Sequence, residues 1–273
     1  MPGFLDRIVA STRARVAEAK RNADLRELER RAEQHVPRGF RQALLAKSRN
    51  GIAVIAELKK ASPSKGLIRA DFRPAELARE LETAGAAALS VLTDEEFFGG
   101  SLGNLRVASA AVKIPCLRKD FIVDELQLLE ARANAGDAIL LIVAALSQTE
   151  LASLARSSRA HGLDILCEVH DDEELRRALD AGCDLIGVNA RDLRTFQVRL
   201  ETAFEIAEKM PAGVLKVAES GIQSANDVAR LRSAGYDVFL IGESLMRTER
   251  PGLALRELLL HVPAAQSPVT ARR

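Results

Sequence analysis

Short apolar runs recur along the chain from residue 50 onward, and segments with the period of an amphipathic helix separate them. The runs are IAVIAEL (52–58), AALSVLT (87–93), IPCLRK (114–119), AILLIVA (138–144), LDILCEV (163–169), DLIGVNA (184–190), VLKVAES (214–220) and DVFLIGE (237–243). Each run is nearly continuous in its hydrophobicity, which is typical of strands that are covered on both faces. In the intervening segment SANDVARLRSAG, Ser224 is placed to cap a helix and Gly235 to end it.

One junction is repeated four times. ETAGAAALS, ANAGDAILL, LDAGCDLIG and RSAGYDVFL each indicate a helix end, an Ala-Gly pair and then a strand. A glycine at that place can take the left-handed conformation that closes a helix. The repetition, with eight strands in about 200 residues, predicts an α/β fold, a (β/α)8 TIM barrel. The alternative is a doubly wound open sheet, but FFGGSLGNL does not fit G-x-G-x-x-G and no Walker A pattern occurs.

The two ends of the chain differ from this pattern. Residues 1–50 are highly charged and helical in period, so we predict an N-terminal helical extension that packs on a barrel of residues 51–262. We expect the first, long helix to cap the bottom of the barrel. The short helix in PRGFRQALLAKS is equally consistent with a bottom cap and with a lid over the active site. The small and polar tail, residues 263–273, is predicted to be disordered.

Composition narrows the class of protein. A length of 273 residues suits one large α/β domain or two small ones, and 47% hydrophobic with 28% charged residues is ordinary for a soluble globular chain. The net charge of +1 argues against nucleic-acid binding through overall basicity. The first twenty residues lack the apolar core of a signal peptide, and no apolar run reaches membrane-spanning length. Cys116, Cys167 and Cys183 lack metal-ligand spacing, so we expect reduced core thiols in a cytoplasmic protein.

Ionisable and amide side chains collect at the carboxyl ends of the predicted strands, where barrel enzymes build their sites. Alternation along the first strand puts Glu57 and Lys59 on one face and Lys60 on the other. The other strand ends carry Lys119, Glu168, Asn189, Arg191, Glu219 and Ser220. One such residue alone is ordinarily a solvated rim residue. Because five strands contribute to one mouth, the set favours a site whose interleaved charges tune acid-base groups.

Two late loops indicate a phosphorylated substrate. ESGIQS and IGESLM follow the last two strands, where this fold commonly binds phosphate through backbone N–H groups, and each contains a glycine.

Metal and nucleophile motifs are missing from the sequence: there is no G-x-S-x-G, no H-E-x-x-H and no Cys-His cluster. Only His170 among the four histidines lies near a predicted strand end, so we expect no metal.

The chain resembles the indole-3-glycerol-phosphate synthase family, the cyclising decarboxylases of tryptophan biosynthesis. IAELKKASPSKG is similar to the first-strand motif of that family, and LTDEEFFGGSL, CLRKDFI, CEVH, IGVNARDL, VAESGI and FLIGESLMR resemble its later motifs in order. The resemblance covers about residues 50–250, and an N-terminal helical extension is also a family feature. It implies conversion of 1-(2-carboxyphenylamino)-1-deoxyribulose 5-phosphate into indole-3-glycerol phosphate, CO2 and water, without cofactor or metal.

The resemblance also implies roles for individual residues. Lys119 would be the general acid that protonates the substrate carbonyl oxygen, and Glu168 a proton donor or acceptor in ring closure and dehydration. Lys59 would pair with the carboxylate that leaves as CO2, while Glu57 would orient the lysines and contact the substrate hydroxyls. Asn189, Glu219 and Ser220 would complete the catalytic wall.

The binding residues follow from the same resemblance. Phe98 and Phe121 would line a slot for the anthranilate ring, and Arg191 and Leu193 would also contact the substrate. The phosphate would be held by Ser62, Gly221, Gly242 and Glu243. Relatives can carry a small residue at the position of Glu243, and a carboxylate repels a phosphate, so we expect this side chain to turn away while its N–H donates. We expect a monomer or weak homodimer.

Two other functions are consistent with the residues alone. A phosphosugar barrel enzyme, an aldolase or isomerase, could use Lys59 or Lys119 as a Schiff-base lysine, and borohydride trapping would reveal it. A non-catalytic binding protein that retained the phosphate site would be expected to lose the strand-end acids and bases, and this chain retains them.

Overall fold

The computed structural model describes residues 3–192 and 197–262, and its centre is a closed barrel of eight parallel strands. The barrel strands are β1 (Ala53–Leu58), β4 (Ala88–Leu92), β5 (Cys116–Lys119), β6 (Ala138–Ile142), β7 (Asp164–Val169), β8 (Leu185–Asn189), β9 (Leu215–Glu219) and β10 (Val238–Ile241). Each strand pairs with its neighbour in the chain, and β10 closes the ring against β1. The predicted (β/α)8 barrel is therefore confirmed.

Helices follow the strands around the outside. They are α4 (Pro74–Ala84), α5 (Leu102–Ala111), α6 (Glu125–Ala133), α7 (Gln148–Ala160), α8 (Asp172–Asp180), α9 (Leu200–Ala207), α10 (Ala225–Ser233), α11 (Glu243–Met246) and α12 (Pro251–His261). Side-chain caps begin several of them, and the predicted cap Ser224 accepts a hydrogen bond from the Asp227 N–H. A hairpin of β2 (Ala61–Ser62) and β3 (Gly66–Leu67) lies in the loop after β1.

The four repeated junctions are built in two ways. Gly85, Gly182 and Gly235 have the predicted left-handed backbone, with φ of 106°, 73° and 87°. At the remaining junction the prediction was wrong, because Ala135 takes the left-handed conformation (φ 59°) and Gly136 follows it. A Cβ on Gly136 would lie 3.0 Å from the Ala131 carbonyl oxygen, so glycine is required there for close approach.

Side chains alternate between the inside and the outside of the barrel along β1. Ala53 and Ile55 belong to the apolar cluster that fills the barrel, whereas Val54, Ala56 and Leu58 belong to the cluster between strands and helices. Glu57 continues the inward set, so it emerges at the carboxyl end of the barrel interior. The predicted parity of this strand is confirmed.

The N-terminal segment forms three helices that contact opposite ends of the barrel. They are α1 (Phe4–Asn22), α2 (Leu25–Glu33) and α3 (Phe40–Ser48). Phe40 and Leu44 of α3 are fully buried among residues that fill the barrel. The Arg41 N–H donates to Asp164 at the start of β7 (2.9 Å). The short helix therefore closes the bottom and is not a lid.

The long helix α1 lies at the other end, so its predicted position at the bottom was wrong. Arg15 pairs with Asp94 and Asp120 (3.4 and 3.8 Å), which follow β4 and β5. Arg13 pairs with Glu150 at the start of α7 (2.8 Å). Each of these carboxylates belongs to a loop or helix start after a strand, which is the face where the predicted site lies.

Within the described ranges, every helix is too short or too polar to cross a bilayer. The predicted disordered tail, residues 263–273, lies outside the described residues.

Candidate active site

The carboxyl ends of the barrel strands surround a cavity of about 940 Å³. The predicted site residues within the described part of the chain all line it: Glu57, Lys59, Ser62, Phe98, Lys119, Phe121, Glu168, Asn189, Arg191, Glu219, Ser220, Gly221, Gly242 and Glu243. Leu193, which the sequence also indicated, lies outside the described residues. Residues separated by up to 186 positions in sequence thus meet in one place because parallel strands end on the same face.

Lys119 lies between two buried carboxylates. Its Nζ is 3.0 Å from Glu168 Oε2 and 3.3 Å from Glu219 Oε2. Both glutamates are almost fully buried, and the register places Glu219 opposite Asn189 on the neighbouring strand. The Asn189 side-chain oxygen accepts the Arg191 N–H (3.0 Å), which orders the turn after β8.

The three charges shift one another's protonation in different directions. Burial opposes the ammonium form of Lys119, but the carboxylates of Glu168, Glu219 and Glu57 raise its pKa well above the usual lysine value. Burial also opposes ionisation of Glu168, yet Lys119, His170 and Asn189 lower its pKa to about 2. Burial and the negative charge of Glu168 raise the pKa of Glu219 to about 7, against the opposite effect of Lys119. The site therefore holds one firm carboxylate and one carboxyl group that titrates near neutrality.

Glu57 and Lys59 form a second ion pair on the same wall, with 2.5 Å between Lys59 Nζ and Glu57 Oε1. Lys60 is exposed and does not line the cavity, as its parity predicted. Gly242 lies directly against this pair, since a Cβ built there would be 2.5 Å from Glu57 Oε1. The sequence indicated Gly242 for phosphate binding only, and its contact with Glu57 was missed.

The loops after β1, β9 and β10 have the features of an anion site. Ser62 Oγ is buried and has no hydrogen-bond partner among the described residues. Ser220 and Gly221 both have positive φ (64° and 75°), which turns the backbone after β9 sharply at the cavity wall. Glu243 places one carboxylate oxygen 3.7 Å from Arg191 and the other 3.2 Å from Arg247. Its negative charge is therefore paired with guanidinium groups.

An aromatic wall completes the cavity. The rings of Phe98 and Phe121 have centroids 6.1 Å apart and are tilted by 37°. Phe121 is buried, and Leu140 and Ile142 line the cavity beside it. This wall is suited to a planar apolar group.

Alternation along β5 turns the two residues that flank Lys119 away from the barrel interior and towards the helices. Arg118 lies on that side, because it pairs with Asp120 (3.0 Å) and with Glu130 of α6 (3.0 Å). Asp120 accepts a hydrogen bond from Thr93 Oγ1 (2.6 Å), but it also lines the cavity and faces Arg15, which the parity argument did not predict.

His170 is a further site residue to which sequence reasoning gave no role. Its Nε2 lies 3.5 Å from Glu168 Oε1, and its Nδ1 lies 3.0 Å from Glu174 Oε2. The available signal was its position two residues after Glu168 at the end of the same strand. Within the described residues, no three His, Cys, Asp or Glu side chains are grouped so that they could hold a metal ion.

Known proteins resemble this chain in sequence and in fold. The family model for indole-3-glycerol phosphate synthase matches residues 5–258. Indole-3-glycerol phosphate synthase of Koribacter versatilis is 58% identical over 259 residues, which are 95% of this chain and 100% of that protein. The proteins of the same name from Leptothrix cholodnii and Burkholderia vietnamiensis are each 48% identical, over 94% of this chain and 99% of theirs.

A solved structure supports the fold alone. The crystal structure of KGPDC from Streptococcus mutans superposes with a TM-score of 0.59 at 12% identity, over 76% of this chain and 95% of that one. The family match and the relatives extend over nearly the whole chain, including the cavity residues described above. The chain therefore belongs to the indole-3-glycerol phosphate synthase family, whose members are carboxy-lyases of tryptophan biosynthesis that act on a small phosphorylated substrate.

Proposed function

We propose that individual cavity residues have separate roles in the conversion of 1-(2-carboxyphenylamino)-1-deoxyribulose 5-phosphate into indole-3-glycerol phosphate, CO2 and water. The observation that carries this assignment is the position of Lys119 between Glu168 and Glu219, at 3.0 and 3.3 Å. An ammonium group held by two buried carboxylates is fixed in place and fully charged, as a general acid must be. The scheme uses neither a cofactor nor a metal.

Lys119 begins the reaction in this scheme. Its ammonium group donates a hydrogen bond and then a proton to the substrate carbonyl oxygen, while the ring carbon that bears the carboxylate attacks the carbonyl carbon. The electron pair of the ring–carboxylate bond stays with the ring when CO2 leaves. Glu168 and Glu219 then handle the protons of dehydration: a carboxyl group protonates the departing hydroxyl, and a carboxylate removes a proton from the neighbouring carbon. The pKa of Glu219, raised to about 7 by burial, suits it to either role.

The remaining residues position the substrate. We assign the anthranilate ring to the wall of Phe98 and Phe121, and its carboxylate to Lys59, whose charge is held by Glu57. The phosphate is assigned to the loops after β1, β9 and β10, where Ser62 Oγ has no partner among the described residues and the backbone of Gly221 and Gly242 lines the cavity. The pairing of Glu243 with Arg191 and Arg247 supports a side chain that is held away from the phosphate.

The test is formation of indole-glycerol phosphate, followed by indole absorbance, in the wild type and in Lys119→Ala. Loss of a general acid typically costs about 10²–10⁴-fold in rate. Lys60→Ala is the matched control, because Lys60 is an exposed lysine after β1 that does not line the cavity. Retention of more than half the wild-type turnover in Lys119→Ala would remove this lysine from the mechanism.

Three further expectations remain proposals. We propose a monomer or weak homodimer, supported by the scatter of exposed large apolar side chains over several elements: Leu25, Val36, Leu67, Val107, Val198, Leu253 and Leu260. Light scattering after gel filtration tests the oligomeric state.

The three cysteines are buried free thiols, which supports a cytoplasmic location. The division into an extension of residues 1–50 and a barrel of 51–262 is tested by expressing the barrel alone.

A further inference from the structure

The reaction consumes a proton in each turnover. The substrate carries a carboxylate in addition to its phosphate, whereas CO2 and water are neutral and the indole product carries only the phosphate. Protonation of the carbonyl oxygen and of the departing hydroxyl uses two protons, and loss of the carbon-bound proton returns one. If Lys119 gives the first proton, as proposed above, and the carbon-bound proton restores the carboxyl group that protonated the departing hydroxyl, Lys119 ends the cycle as a neutral amine that must be recharged.

His170 is placed to supply that proton. Its ring is held by Glu174, whose carboxylate oxygen Oε2 accepts both the His170 backbone N–H (2.8 Å) and the ring Nδ1–H (3.0 Å). Glu174 is fixed in turn because its own N–H donates to the Asp171 cap at the start of α8 (2.8 Å). The orientation of the imidazole is therefore set by α8.

The other ring nitrogen points to the site. Nε2 of His170 is 3.5 Å from Glu168 Oε1, and Glu168 Oε2 is 3.0 Å from Lys119 Nζ. Nε2 is buried and has no hydrogen-bond partner among the described residues. A single carboxylate thus separates the imidazole from the lysine, with one of its oxygens facing each.

The surroundings favour the imidazolium form. Burial by itself would lower the pKa of His170, but the hydrogen bond with Glu174 and the negative charges of Glu168, Glu174 and Glu219 raise it. His170 also lines a second cavity of about 260 Å³. The charged groups on the wall of that cavity are Asp171, Glu174, Asp192 and Arg199.

We propose that His170 is the proton store that recharges Lys119 through Glu168. The imidazolium gives its Nε2 proton to Glu168 Oε1, the resulting carboxyl group turns about its Cγ–Cδ bond, and the same proton then passes to the neutral Lys119 amine. His170 loses one proton, Lys119 gains one, and Glu168 begins and ends as a carboxylate. The transfer is downhill, since reference values for lysine and histidine differ by about 4 pKa units. Water reloads His170 between turnovers.

The experiment compares His170→Gln, His170→Ala and the control His161→Gln, which changes an exposed histidine at the end of α7. Glutamine keeps a hydrogen-bond donor for Glu168 but cannot release a proton. We expect kcat of His170→Gln to fall at least about tenfold, short of the full 10²–10⁴-fold loss of a general acid because water recharges slowly, with KM within about threefold. In His170→Ala, added imidazole should restore kcat in proportion to imidazolium, and acetamide should not.

The pH profile gives a second measurement that a structural role would not change. Wild-type kcat should decline on the alkaline side as His170 loses its proton, and His170→Gln should lack this limb. A wild-type kcat in His170→Gln would overturn the proposal, and so would rescue by acetamide as strong as that by imidazole. Should His170→Ala fail to fold by circular dichroism, the pH profile of His170→Gln decides.

The proposal rests on the roles given above to Lys119 and Glu168, so Glu168→Gln is measured alongside. An inactive Glu168→Gln with a fully active His170→Gln refutes the proton store alone. A fully active Glu168→Gln refutes the proposed role of Glu168 itself.

Discussion

Glu219 occupies the space that a side chain on Gly187 would need. A Cβ built on Gly187 would lie 2.0 Å from Glu219 Oε1 and 3.2 Å from a methyl group of Leu166. Gly187 is in the middle of β8, and Glu219 is on the neighbouring strand β9. The absence of a side chain in β8 thus lets the carboxyl group of Glu219 fold inward to Lys119.

The first prediction follows from this contact. Gly187→Ala should displace the Glu219 carboxyl group and lower kcat by about 10²-fold, the effect expected when a reacting group is misplaced by about 1 Å. Overpacking should also cost about 1–3 kcal/mol of stability. The control is Gly103→Ala in α5, where the new Cβ would meet only Ser101 Oγ, at 3.5 Å. Equal kcat for the two variants would show that Glu219 has room to adjust.

A second prediction concerns the pH dependence of stability. The pKa of Glu219 is raised to about 7 from 4.5. The folded state therefore binds a proton more tightly than the unfolded state, and the associated stability is full below about pH 4.5 and is lost as pH rises to about 7. Glu219→Gln should remove this decline, which amounts to about 3 kcal/mol at most. Urea unfolding of both proteins at a series of pH values measures it.

Glu168 provides the opposite case in the same experiment. Its pKa is lowered to about 2 from 4.5, so its contribution to stability is present above about pH 4.5 and is lost as pH falls to about 2. Glu168→Gln should weaken the acid decline of stability, and it should also reduce the decline between pH 4.5 and 7, because the negative charge of Glu168 helps to raise the pKa of Glu219. If Glu219→Gln and wild type have parallel curves between pH 4.5 and 7, the folded Glu219 does not hold a proton in that range.

The third prediction treats Glu57 and Lys59 as a unit. Breaking a buried ion pair from one side costs about 3–5 kcal/mol, and less here because Lys59 is partly exposed. Glu57→Gln and Lys59→Met should each reduce activity, and the double variant should show strongly non-additive effects in a double-mutant cycle. Lys60→Met should be mild, since Lys60 is exposed outside the cavity. Greater damage from Lys60→Met than from Lys59→Met would contradict the inward role of Lys59.

The fourth prediction tests the phosphate end. Gly221→Val should weaken binding of the substrate more than binding of an analogue that lacks the phosphate. A side chain there is strained by the positive φ, and its Cβ would lie 2.6 Å from Val198 Cγ1, so the loop must move. Gly213→Val is the matched control, because Gly213 also has a positive φ (92°) and no atom within 4 Å of a new Cβ. Calorimetric titration measures the affinity of each variant for both ligands. Equal losses of affinity for the two ligands in Gly221→Val would place the phosphate elsewhere.

The barrel and the strand-end residues of the cavity were predictable because each depends on local periodicity, whereas residues such as Phe98 and Ser62 were indicated only by the family resemblance. Alternation along a strand is enough to separate Glu57 from Lys60, and parallel strands bring their carboxyl ends to one face. Contacts between side chains were not predictable in this way. The proximity of Gly242 to Glu57, and of Gly187 to Glu219, depends on how neighbouring strands are staggered around the closed barrel.

The position of α1 was likewise not predictable from local periodicity. The helical period of α1 was evident from the sequence. The end of the barrel on which α1 docks is selected by ion pairs with residues that are distant in sequence. Arg15 pairs with Asp94, 79 positions away, and Arg13 pairs with Glu150, 137 positions away. Charge on a helix indicates only that one side is polar. Which end of the barrel offers matching carboxylates is a property of the folded loops.

The N-terminal helices have a consequence for synthesis on the ribosome. They emerge before the barrel, and their partners are made later: Asp94 and Glu150 for α1, and Asp164 and Asp184 for Arg41 of α3. Until about two thirds of the chain has been translated, this segment has no complete surface on which to dock. We expect the high charge of this segment to keep it hydrated during that interval, so that it docks only after the barrel residues that it contacts have been made.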